Sequence, residues 1–214
     1  MTWRRRLPVA GAIVLLAAAV TLAVPLTRRA VLQRVGRFLA ESDQPAAADL
    51  IAMDVESGFA GALKIGDLHR DQPRAVVALL APRQTALDAA LRDRRIVVPD
   101  VMVDVLEQLG IPRHAIAQIP AGDGGTTETA EALAGWSRAN PSGRVLVVVG
   151  PSHGRRYRRA LLRAWPDGHP VPRVVTTQYA LFRGDDWWVS RTTLREGLVE
   201  IEKLLLDYLA HPLP

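Results

Sequence analysis

From position 48 onward the chain alternates two hydrophobic patterns. Short runs at 50–55, 75–80, 115–119, 145–149 and 174–177 have strand length, at least two of them almost purely apolar, and such runs fit strands covered on both faces. Between them, apolar positions recur at helical spacing over 59–69, 99–109, 126–139 and 153–165, and a longer helix is expected at 192–209. Strand–helix alternation calls for right-handed crossovers and for helices on both sides of the sheet. The fold expected is α/β: a three-layer sandwich on a mostly parallel, Rossmann-like sheet of about five strands.

The first part of the chain reads differently. Residues 7–26 (LPVAGAIVLLAAAVTLAVPL) carry no charge over about the length a helix needs to cross a hydrocarbon core. The run is long for a cleaved signal peptide and lacks a small-x-small site followed by a polar start, which favours an uncleaved signal anchor. Arg4, Arg5 and Arg6 precede it and Arg28 and Arg29 follow, so the positive-inside count is nearly balanced. Three segments are expected: an anchor over 1–29, a juxtamembrane helix and linker over 30–47, and the α/β domain over 48–214.

Composition narrows the chemistry. The chain of 214 residues has no cysteine, which removes disulfides, thiolate nucleophiles and cysteine-based zinc sites together. Its net charge of +5 and pI near 10.3 come from arginine, with Lys64 and Lys203 the only lysines. Such a surface suits phosphates or acidic lipid. No nucleic-acid recognition motif accompanies it, and no nucleic-acid partner is expected. His69, His114, His169 and His211 show no metal-ligand spacing with one another, no metal site is assigned, and the sequence leaves any cofactor unknown.

In a parallel α/β sheet, ligands sit where strand C-termini lead into helix N-termini. Here those places are 54–58, 82–85, 122–128 and 150–156. In the last, Gly150-Pro151-Ser152-His153 follows the most apolar strand, with Ser152 the expected helix cap and His153 a candidate proton-transfer group. Arg156, one turn on, is placed to neutralise an anion. On a helical wheel Arg155, Arg159 and Arg163 form a sector that reads as a solvated basic face, whereas Arg158 falls among apolar residues and needs a partner. The Gly-rich loop before Thr126 and Glu128 supplies a second helix start, although Glu in a first turn is also ordinary capping chemistry. Asp54 and Glu56, with Ser57, close the first strand. Asp54 and Glu56 read either as paired carboxylates able to hold a metal or act as acid and base, or as solvent-facing acids.

Several of these pieces together resemble the YdcF/SanA/ElyC-like family of bacterial, often membrane-anchored α/β domains. AADLIAMDVESG resembles the family's opening strand and LGIPRHAIAQIP a Gly-Val-Pro then Ile stretch. TTETAEA resembles its Thr-x-Glu-Asn-Ala helix start, and VLVVVGPSHGRRYRRA its strand followed by His and Arg. The chain differs in carrying Thr129 where the motif has Asn, and Glu56-Ser57-Gly58 where the first loop is glycine-rich. The resemblance implies Thr126, Glu128, His153 and Arg156 at a ligand site and a role in envelope or cell-wall biogenesis or permeability. It also implies an α/β domain outside the cytoplasmic (inner) membrane, held by one N-terminal span. The ligand expected is an anionic small molecule or lipid-linked group, phosphate- or nucleotide-bearing, with His153 and Glu128 as catalytic candidates and Thr126, Ser152, Arg156, Asp54 and Ser57 binding it. The rival expectation is a non-catalytic module that docks a basic helix face on an anionic partner or the membrane surface.

Overall fold

The computed structural model describes residues 24–81, 86–95, 100–122, 125–140 and 143–212. Five short strands, β1 (Leu50–Asp54), β2 (Val76–Ala81), β3 (Ile116–Pro120), β4 (Val145–Val149) and β5 (Arg173–Thr176), pair in the order β3-β2-β1-β4-β5. All four pairings are parallel. The central strands β1 and β4 are buried at every position, because helices cover both of their faces.

The helices sort by face. Helices α2 (Gly58–Asp71) and α4 (Val101–Gln108) pack Ala62, Ile65, Leu68, Val103 and Leu106 on the face presented by Ile51, Met53, Val77 and Val148. Helices α5 (Thr126–Ala139) and α6 (Gly154–Ala164) pack Ala130, Leu133, Tyr157 and Leu161 on the opposite face, against Leu50, Ala52, Val147 and Val149. This is the three-layer, Rossmann-like arrangement expected from the alternation. Helix α3 (Ala86–Asp93) is an addition that the hydrophobic pattern did not single out; its Leu87 is exposed, so no core-facing row announces it.

A further pair of helices covers α6. Helix α1 (Pro25–Leu39) and the 20-residue α7 (Arg191–Ala210) meet over Leu39, Phe182, Trp187 and Leu204 in a third apolar cluster. The Trp187 indole N–H donates to the Leu32 carbonyl at 2.8 Å. Gly36 and Gly197 make this approach possible: a methyl on either would lie within 2.5 Å of the Trp187 ring. After α1 the chain runs along β5, where Asp43 N–H donates to the Val174 carbonyl and the Asp43 carboxylate accepts from Val174 N–H. That contact occupies the β5 edge of the sheet.

Of the expected membrane span, residues 7–23 lie outside the described residues. Among the described residues no helix is long and apolar enough to cross a membrane.

Candidate functional site

Strand order reverses between β1 and β4, so the crevice beyond their C-termini is the switch point at which this class of sheet receives ligands. Asp54 ends β1, and Glu56 and Ser57 lie in the 3₁₀ turn that follows. Pro151, Ser152 and His153 form the matching turn after β4 and lead directly into α6. Thr126, the first residue of α5, completes the rim.

The centre of the site is a residue on none of these elements. Glu200 of α7 is 1% exposed and reaches down to α6. Arg156 grips it through Nε, at 3.0 and 3.1 Å from its two carboxylate oxygens, and through a second guanidinium nitrogen at 2.5 Å. His153 Nδ1 lies 3.0 Å from the same carboxylate. Burial would raise the Glu200 carboxyl, but hydrogen bonds from His153 and Arg156 outweigh it and hold the group at about 2. Burial likewise pushes His153 down, and the Glu200 carboxylate more than reverses this, so the imidazole ends above its ordinary value. Arg156 also donates to the Thr126 hydroxyl, tying the start of α5 into the network.

This arrangement fixes the imidazole. With Nδ1–H donated to Glu200, Nε2 is turned to the other side, 3.7 Å from a Glu56 carboxylate oxygen. A carboxylate–imidazole pair with one ring nitrogen left for chemistry is the arrangement that general acid–base catalysis needs. Beneath it sits Asp54, 6% exposed, which burial and then the charge of Glu56 push up to about 6. Tyr157 lies below as well. Its hydroxyl is buried with no hydrogen-bond partner among the described residues, and burial followed by the charges of Asp54 and Glu56 raises it well above its ordinary value. Three groups that exchange protons, His153, Asp54 and Tyr157, are thus buried or nearly so at one sheet end.

Two open pockets border the network, one at His153 and Glu200 and one at Arg156. One, of about 540 Å³, is lined by His153, Glu200 and Glu196 and by Arg191, Arg195 and Lys203 of α7. The other, of about 560 Å³, includes Glu56, Thr126, Glu128, Arg156 and Lys203. Glu128 is exposed and folds back over Gly122 rather than reaching His153. The structure therefore brings Asp54, Glu56, His153, Arg156 and Thr126 into one network and leaves Glu128 on its rim. Among the described residues no group of three or more His, Asp or Glu side chains is placed to hold a metal ion.

Several local expectations change. Ser152 does not cap a helix: it lies inside the 3₁₀ turn, whose cap position is Gly150, while His153 holds that of α6, and the Ser152 hydroxyl donates to Glu196 at 2.6 Å. Gly125, not a threonine, precedes α5. The Ser57 hydroxyl donates to the Asp54 carbonyl at 2.6 Å, which pins the turn after β1. The expected wet basic face of α6 is not wet. Arg159 is 7% exposed, paired with Asp207 at 2.6 Å and stacked on the Tyr208 ring; Arg163 shares Asp207. Arg155 pairs with Glu41 and lies over Phe38, and Arg158 finds Glu41 and Asp43. The wheel could not show that the segment following α1, through Glu41 and Asp43, and α7, through Asp207, would cover this face with complementary acids.

Glu200 itself carried a signal. Thr193, Gly197, Glu200 and Leu204 recur at helical spacing as the inward row of α7, which marks Glu200 as an acid in need of a buried cation.

No family model matches the chain, and no curated protein matches it significantly.

Proposed function

We propose that the chain is a YdcF/SanA/ElyC-like envelope protein whose switch-point crevice binds an anionic, phosphate- or nucleotide-bearing ligand. On this reading it is anchored through residues 7–26, with the α/β domain outside the cytoplasmic membrane, and acts in envelope or cell-wall biogenesis or permeability. The observation that carries the ligand class is the pocket beside His153, where Arg191, Arg195 and Lys203 have no acidic partner among the described residues. The two acids lining the same pocket are already engaged, Glu196 by Ser152 and Glu200 by His153 and Arg156. Glu196 keeps its charge, so three cations face one unpaired carboxylate, and a phosphate entering there meets net positive charge next to an oriented imidazole.

Roles within the site follow. Arg156 is a positioning residue, because its guanidinium is spent on Glu200 and Thr126. His153 Nε2 gives or takes the proton, Glu200 sets its tautomer, and Arg191, Arg195 and Lys203 bind charge. The rival reading, a basic α6 face docked on an anionic partner, is disfavoured by the internal pairing of Arg155, Arg159 and Arg163.

The test is calorimetric titration of the purified chain with pyrophosphate and with a nucleoside diphosphate. Replacing Arg191, Arg195 and Lys203 together with Gln should weaken binding about tenfold, roughly half a kcal/mol for each exposed charge. Equal affinity in the triple variant, or no binding by the parent chain, overturns the ligand class. A periplasm-active reporter fused after position 214 checks the placement of the domain.

A further inference from the structure

Helix α7 turns leucines toward solvent. While Thr193, Gly197, Glu200 and Leu204 face inward, Leu198, Leu205 and Leu206 are 54–58% exposed and Leu209 is 80% exposed. At the helical repeat, Leu198, Leu205 and Leu209 fall within about 40° of one another on the side away from Glu200. The ridge has neighbours. The packed row Leu194, Ile201 and Tyr208, which meets α1, lies one step round the helix, so the apolar surface continues from the α1 contact onto the outside of α7. Leu181 and Val189 protrude from the segment joining β5 to α7, and Val24 and Leu26 from the start of α1. More than half of the exposed large apolar side chains among the described residues belong to these three segments. A monomer in water does not gather them so.

Charge identifies what covers this face. Arg28, Arg29 and Arg34 of α1 and Arg191, Arg195 and Lys203 of α7 have no acidic partner among the described residues. The exposed acids of the same segments are few: Asp185 pairs with Arg37, leaving Asp186 and Glu202. Leucines beside unpaired cations match an interfacial helix on an anionic bilayer. A second copy across a two-fold axis would set the same cations against one another. In the sequence, moreover, the uncharged residues 7–26 run directly into α1. We propose that the face formed by α1 and α7 lies on a lipid surface carrying anionic headgroups, with Leu198, Leu205 and Leu209 at the headgroup–acyl boundary. The proposal goes beyond the ligand reading and stands whether or not the His153 pocket takes phosphate. It also sets the mouth of that pocket, which Arg191 and Arg195 line, at the bilayer surface.

The absence of cysteine makes the test clean. Leu205→Cys, Leu209→Cys and, on the opposite face of the sheet, Gln108→Cys are labelled with an environment-sensitive fluorophore in the full chain. Each is placed in nanodiscs of about two parts phosphatidylcholine to one part phosphatidylglycerol. Spin-labelled lipid should quench the labels at 205 and 209 at least about threefold more than the label at 108, and replacing phosphatidylglycerol by phosphatidylcholine should reduce that difference. Equal quenching at all three positions, with iodide reaching 205 and 209 as readily as 108, overturns the proposal. So does label-to-label proximity between two copies at 205, which would make the face a protein interface.

Discussion

Two sets of contacts join α6 to α7, and they are built from the same materials with different results. At one, Asp207 receives Arg159 and Arg163; Arg159 also donates to the His211 carbonyl, and none of the three side chains keeps a buried polar atom without a partner. At the other, Glu200 receives Arg156 and His153, but the network does not close. The imidazole passes on to Glu56, and beneath it Asp54 is buried with a raised carboxyl and Tyr157 with an unused hydroxyl. The Asp207 cluster is a clamp. The Glu200 cluster is a clamp set over a carboxyl whose charged form burial disfavours and a hydroxyl without a partner, and groups so held mark sites of chemistry more often than sites of support.

If that distinction is right, the largest effect comes from Glu200. Glu200→Gln leaves the half-buried Arg156 guanidinium without its acid and releases the imidazole, and should remove about 4 kcal/mol from the stability of the purified chain at pH 7, read by urea unfolding. The sign with pH is set by its depressed carboxyl. The stabilisation is fully present above the ordinary 4.5 and fades as pH falls toward about 2, so the penalty of the variant shrinks in acid. The same change should let the His153 imidazole fall from its raised value toward or below 6.5, followed by NMR of the ring protons. Unchanged His153 titration would leave nothing to separate the two clusters.

The sheet and the sites show how far one-dimensional reading reaches. Strands β1 and β4 are legible because burial on both faces demands unbroken apolar runs, and α5 because its period is undisturbed. His153, Arg156 and Thr126 follow from the rule that strand ends face the crevice. Glu200 escaped because its partner Arg156 lies 44 residues away, and His153 farther still, across a helix pair whose packing is a tertiary event. The α6 arginines misled for the same reason. Amphipathicity reports that a face is polar, and says nothing of whether water or a layer of acids will meet it. Leu198 and Leu205 carry the opposite lesson, since an apolar period on α7 marks an outward face.

Asp207 supplies the control. Asp207→Asn leaves Arg159 nearly buried without its acid, and the loss should be about 3 kcal/mol, somewhat below Glu200 because the His211 carbonyl and the Tyr208 ring still receive that guanidinium. The sharper expectation is what does not move. His153 should titrate as in the parent chain, since none of its partners is Asp207. A His153 shift in this variant would mean that the two clusters act as one.

Asp54 should give the smallest effect and the opposite sign. Its carboxyl stands at about 6 in the folded chain against an ordinary 3.8, so the folded state takes up this proton before the unfolded state does. Ionised Asp54 therefore subtracts stability, beginning as pH rises above about 4 and in full above about 6. The shift sets an upper limit of about 3 kcal/mol. Asp54→Asn should accordingly stabilise the chain by about 2 kcal/mol at pH 8 and by almost nothing at pH 4, measured by urea unfolding at both. The backbone hydrogen bond that the carboxylate accepts at Glu56 survives, because the amide oxygen can take it. A residue whose removal strengthens the fold while it sits buried beneath an oriented imidazole is retained for something other than stability. If Asp54→Asn instead weakens the chain at pH 8, the carboxylate is an ordinary structural acceptor and the contrast between a closed cluster and an open one fails at its deepest residue.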